Sequence, residues 1–335
     1  MVFLCSDIDS YVKKYLKIFN SLRNKLKWKA QNQLLMMIAL LYVINEKEFN
    51  FNEFIDLSRY IKSNAGFFSP LHSHQRFSIS AMLLTKYDNP KDKFHELIKY
   101  QERLTSNGFK KGPFTNISAL SLMVTHDTDE DLNKRILKAF EIYKGMKSYH
   151  YFLTSQSDYP LAILLSKLNK PIDDLLEEVE FYYSKLSEGN FKNGNDLQFL
   201  SHILMLADLE NKDFIVNKCN NIYENLIEEG LKVKRLHYSL VGLMSIVDKN
   251  LETEIKEIKD IFNILNTTKH LKRLKDINLI MAVLMVISKV IKNIHDDISI
   301  IETGLNTSIE TIIQAQNAAL ISSITVTSTT ASTIQ

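Results

Sequence analysis

Two kinds of segment alternate along this chain. In one kind, such as Asp131 to Ser148, apolar residues return every three or four positions and charged residues fill the rest. In the other kind almost every position is apolar: "LLMMIALLYVI", "YPLAILLSKL", "LQFLSHILMLA" and "NLIMAVLMVIS". A 3.6-residue period with one charged side predicts a helix buried along one stripe, and a helix apolar all round is buried on every side. The alternation therefore predicts an outer layer of first helices and an inner layer of second helices.

The pattern repeats. "RLTSNGFKKG", "KLSEGNFKNG" and "NLIEEGLKVK" share one frame, a helix end followed by a short polar link. Anchoring on Phe109, Phe191 and Leu231 extends the frame to Trp28, Phe68, Tyr151 and Leu271, with successive spacings of 40, 41, 42, 40, 40 and 40 residues. An aromatic precedes each anchor by eight or nine residues: Phe19, Tyr60, Tyr100, Tyr143, Tyr182 or Tyr183, Tyr223 and Phe262. An apolar residue follows each by thirteen: Leu41, Ala81, Leu122, Leu164, Leu204, Met244 and Leu284. A fixed period of this length marks a repeat architecture. The expected fold is all-α, about seven αα-hairpins, as a closed α/α toroid or an open α-solenoid. One repeat domain is expected over residues 1–293, then capping helices over 294–321. The tail "SSITVTSTTASTIQ" (322–335) reads as a disordered Ser/Thr-rich end.

Composition narrows the function classes. The 335 residues include only 9 Gly and 5 Pro, which suits long helices. A net charge of +2 argues against a nucleic-acid binder. Cys5 and Cys219 stand alone, so disulfide frameworks, redox dithiols and zinc knuckles lack their residues. The start has no basic n-region and apolar run of a signal peptide, and Ile277 to Ser288 is too short to span a bilayer. These features predict a cytoplasmic protein without a membrane partner.

Chemistry is expected in the first-to-second helix links, which all fall at one end of such a repeat. They carry Arg76, His150, Asp158, Asn195 and His237, with His202 inside an inner helix. Each link precedes an inner-helix N-terminus, where free N–H groups and the dipole favour anions. These six residues are therefore the candidate ligand-binding set, converging on one rim. Ordinary capping competes with this reading, because Asp158, Asn195 and Asp196 are the residue types that close helix N-termini. His202, surrounded by apolar neighbours, also fits a core histidine.

Other motifs point elsewhere only weakly. His72 and His74 are two ligands short of a metal site, so no metal is expected. Ser155, Asp158 and His150 lack the Gly-framed nucleophile of serine hydrolases. Asp296-Asp297 lacks a second acidic residue one turn on, while Asp173-Asp174 and Glu177-Glu178 open an outer helix and complement its dipole. No nucleotide-binding glycine loop is present, and the sequence names no cofactor.

The segments "FFSPLHSHQRFSISAMLL", "GFKKGPFTNISALSLM", "YHYFLTSQSDYPLAILL" and "GNFKNGNDLQFLSHIL" together resemble a bacterial domain-of-unknown-function family, DUF4003. The resemblance runs over about residues 10–320 and rests mainly on the "LTS-x-x-DY" and "LSH" segments. It implies a cytoplasmic, all-helical protein of low-GC Gram-positive type and transfers no activity, cofactor or catalytic residue. The functional expectation is a helical-repeat protein that binds a small anionic or polar ligand, or a peptide, at the link rim. The alternatives are an enzyme with an α/α-toroid site at that rim, a reading that rests on fold analogy alone, and a protein-interaction scaffold.

Overall fold

The computed structural model describes residues 3–66, 69–123, 128–207, 211–247 and 251–294. Among these the chain is all-α, fourteen α-helices joined by links, three of which hold a single turn of 3-10 helix. Consecutive helices pack as pairs: α1 (Phe3–Leu26) with α2 (Asn32–Ile44), α3 (Phe51–Asn64) with α4 (Gln75–Lys86), and α5 (Pro90–Ser106) with α6 (Pro113–Met123). The pairs continue with α7 (Asp129–Tyr149) and α8 (Tyr159–Leu165), α9 (Ile172–Ser187) and α10 (Asn195–Met205), α11 (Lys212–Glu228) and α12 (Tyr238–Val247), and α13 (Leu251–Thr267) and α14 (Lys275–Ile294). The described residues fall into two compact units divided at Thr128, α1–α6 and α7–α14. The capping and tail segments expected after α14 lie outside the described residues.

The predicted layers are present within each unit. Second helices touch second helices (α2 with α4; α8 with α10, α10 with α12, α12 with α14), and first helices touch first helices (α3 with α5; α7 with α9, α9 with α11, α11 with α13). Residues Leu34 to Ile44 of α2 are buried without a break, whereas α5 buries only Phe94, Leu97, Gln101 and Leu104. All seven residues expected thirteen positions after the anchors are buried. The aromatics before the anchors divide: Phe19 and Tyr182 are buried, but Tyr60, Tyr143 and Tyr223 are half-buried at the seams between outer helices. There Tyr223 meets the Phe191 ring edge-on at 5.3 Å, and the Tyr60 hydroxyl lies 2.7 Å from His95 Nε2.

Local chemistry ends each first helix two to four residues before its anchor. Gly108 (φ 101°) and Gly230 (φ 81°) take the left-handed conformation that closes a helix at little steric cost. The next residue then turns back: Phe109 N–H donates to Leu104 O at 3.2 Å and Leu231 N–H to Leu226 O at 2.9 Å. Phe109, Phe191, Leu231 and Leu271 are buried there as expected. Trp28 (90% exposed) and Tyr151 (65%) are not, and Phe68 lies outside the described residues.

Gly194 precedes α10 with φ 142° and ψ −172°, a conformation nearly closed to other residues, and a Cβ there would collide with the Arg235 guanidinium. That guanidinium donates to Asn193 O at 2.6 Å. Gly194→Ala is expected to cost about 1–3 kcal/mol in urea unfolding. An unchanged midpoint would show that the α9–α10 link is free to re-form.

Candidate functional site

The charged side chains of the links are bonded within the protein, Arg76 and Asp158 to their own link and Lys234, Arg235 and His237 to the links of neighbouring hairpins. Arg76 Nη1 donates to His72 O at 2.8 Å and to Ser73 O, and its guanidinium lies 4.3 Å over the Phe77 ring. Burial lowers its pKa. Arg235 pairs with Asp196 at 3.3 Å and Lys234 with Asp276 at 2.7 Å. His237 Nδ1 accepts from Lys234 N–H at 3.0 Å, so its Nε2 carries the proton and donates to Asp276 O at 3.1 Å. Burial pulls this histidine down to about 4, which keeps the ring neutral in that double clamp. Asp158 closes its own link: Oδ2 accepts from Ser155 N–H at 2.8 Å, and Ser155 Oγ accepts from Ser157 N–H at 3.2 Å. Burial outweighs these bonds and raises Asp158 to about 7. Asn195 stands exposed at the first position of α10.

A second set of polar groups shares one register of the repeat. Seven residues after six of the anchors stand Gln75, Asn116, Asp158, Gln198, Tyr238 and Asn278, all buried. The register that revealed the repeat contains this signal, a polar residue in the first turns of otherwise apolar helices. In the first unit, Asn116 Nδ2 donates to Gln75 Oε1 at 2.9 Å and Gln75 Nε2 to Pro113 O at 2.7 Å. In the second, Gln198 Nε2 donates to Thr154 Oγ1 at 2.8 Å, and Asn278 Nδ2 to Leu271 O at 3.0 Å. The first three of these bonds tie one repeat to the next, whereas Asn278 braces its own link. Asn116 Oδ1, Gln198 Oε1 and Asn278 Oδ1 are buried acceptors without a protein partner among the described residues.

His150 and His202 are the two remaining candidates of the second unit, and His150 bears on His202 electrostatically. His150 Nε2 lies 2.9 and 3.0 Å from the two carboxylate oxygens of Glu180, and its ring packs 4.5 Å from that of Tyr183. Burial raises the Glu180 pKa, and His150 partly offsets this. His202 is buried, its Nδ1 lacks a partner among the described residues, and desolvation together with the charge of His150 lowers it to about 3. Among the described residues no group of three or more His, Cys, Asp or Glu is placed to hold a metal ion.

On the outer side of this link, an open groove of about 830 Å³ runs between α7 and α9. Leu176 and Ile172 of α9 form its apolar floor with Gly145, where a Cβ would strike Leu176. Glu141, Lys144, Ser148 and Tyr149 of α7 and Asp173 of α9 form its polar rim. Beyond the rim the α7–α8 link exposes Tyr151 and Phe152, the latter 96% exposed, with ring centroids 5.3 Å apart. Thr154 is buried in this link, donating to Met146 O at 3.1 Å and accepting from Gln198 of the next hairpin, and the aromatics that resemble anchors are turned outward.

Residues 18–318 match the family described as "Protein of unknown function (DUF4003)". The chain belongs to this family. It is also 36% identical over 332 residues to "Uncharacterized protein YeaA" of Bacillus subtilis (strain 168), covering 98% of each chain. No solved structure matches it. Among the described residues of this DUF4003 protein, no helix is long and apolar enough to cross a membrane.

Proposed function

We propose that this DUF4003 protein is a cytoplasmic helical-repeat binding protein that takes a peptide segment of another protein in the α7–α9 groove, at the link end of the fourth hairpin. The observation that carries this reading is the outward-turned aromatic pair. Leaving a Phe in water forgoes about 1.5–3 kcal/mol of burial, and the residues that correspond to Tyr151 in the third, fifth, sixth and seventh hairpins, Phe109, Phe191, Leu231 and Leu271, are buried. Exposed aromatics beside an apolar-floored groove are the usual anchors of an interface. His150, between Tyr149 and Tyr151 in the chain, ties its side chain to Glu180 of α9. Three of the link cations, Arg76, Lys234 and Arg235, are already engaged within the protein, which weakens the anionic-ligand version.

A photo-cross-linking residue in place of Phe152, with the chain produced in Bacillus subtilis cells, is expected to give a discrete adduct. The same residue in place of Phe214, an exposed aromatic on α11, is expected to give none. Equal labelling from both positions, or none from either, would overturn the reading.

A second reading rests on a separate observation. Gln198 Oε1 and His202 Nδ1 are buried and, among the described residues, unpaired at neighbouring turns of α10, which suits a small neutral polar occupant bearing hydrogen-bond donors.

A further inference from the structure

We infer that the segment bound in the α7–α9 groove is basic, an arginine- or lysine-bearing stretch with an aliphatic anchor. This inference rests on the groove reading above and adds the chemistry of the partner. The floor made by Ile172 and Leu176 takes an aliphatic side chain and offers it no hydrogen bond. The rim is acidic. Glu141 and Asp173 line it, and Glu177 follows Asp173 by one helical turn on the same side of α9. The cation on the rim, Lys144, is already paired with Glu141 at 2.6 Å. Among the described residues, Asp173 therefore lines the groove without a rim cation paired to it, and the exposed Glu177 stands one turn further along α9. The whole chain carries +2, so this negative field is a local property of the groove and not of the surface at large.

The aromatic tip recognises the same chemistry. Lys147 Nζ lies 5.1 Å from the centroid of the Tyr151 ring, so one face of the pair already holds a cation. Phe152 is almost wholly in solvent and presents its ring to a second one. Basic side chains suit each feature in turn, because a guanidinium plane stacks on a ring and its N–H fork pairs with a carboxylate.

The test uses the full chain and two fluorescein-labelled model peptides read by anisotropy, one of alternating Arg and Leu, the other with Glu in place of Arg. The Arg–Leu peptide is expected to bind roughly tenfold or more tightly than the Glu–Leu peptide. Asp173→Asn with Glu177→Gln is expected to weaken it roughly fivefold or more at low salt, with the far-UV circular dichroism unchanged, and added salt to do the same to the wild type. Tyr151→Ala with Phe152→Ala is expected to abolish binding. If both peptides bind equally and the aromatic variant loses both, the basic-partner inference fails while the groove reading stands. If neither peptide binds the wild type, or the Arg–Leu peptide binds the aromatic variant as tightly as the wild type, both fail.

Discussion

Leu204→Ala is expected to destabilise the second unit by about 2–5 kcal/mol, the range for emptying a buried leucine site. Leu204 is wholly buried on α10, and α10 packs against α8, α9 and α12 at once. A cavity there has rigid neighbours on every side, so little of it can close. Urea unfolding at neutral pH measures the loss. A cost below about 1 kcal/mol would mean that α10 is not the centre of an inner layer.

The second large effect is a pH dependence with two opposed parts. His202 has its folded pKa lowered to about 3, so its contribution to stability is present above the ordinary histidine range and is lost as pH falls toward 3. His237, lowered to about 4, acts in the same direction. Asp158 is raised to about 7, so its contribution is present below the ordinary aspartate range and is lost as pH rises through 7. A proton held tenfold more or less tightly by the folded chain than by the unfolded one is worth ~1.4 kcal/mol. Between about pH 4.5 and 6.5 the two histidines outweigh the aspartate, and wild-type stability is expected to rise gently with pH. His202→Leu leaves His237 against Asp158, so its profile is expected to be nearly flat over that window. Asp158→Asn keeps a cap and removes the opposing slope, giving a protein that weakens more steeply than the wild type as pH falls. Chemical denaturation at about half-unit pH steps distinguishes these outcomes. Parallel profiles for both variants and the wild type would show that neither group carries its proton differently on folding.

The sequence by itself determined the class, the period and the layering. An amphipathic segment beside one apolar all round leaves a helical pair as the only way to bury both, and fixed spacing carried that inference from Phe109 to Leu271. In the apolar second helices the register holds throughout, and all seven positions thirteen after the anchors are buried. Sequence also held, unread, the buried polar register of Gln75, Asn116, Gln198 and Asn278. Asp158 makes the bond its residue type predicts, since a carboxylate beside a free backbone N–H is satisfied within three residues of chain.

Only the tertiary structure decided where side chains of distant repeats meet. The His150–Glu180 pair joins residues thirty positions apart on different hairpins, and no periodicity specifies which partner a side chain of the next repeat presents. Tyr151 fits the anchor pattern as well as Phe109 does, yet it is turned outward because Thr154 occupies the buried place and is held there by Gln198 of the following hairpin. The division at Thr128 is likewise a matter of which contacts close around which core. Local propensity and period depend on neighbours a few residues away, and they set the elements. The groove, the clamps and the exposed aromatic tip depend on contacts between hairpins, which a one-dimensional pattern does not encode.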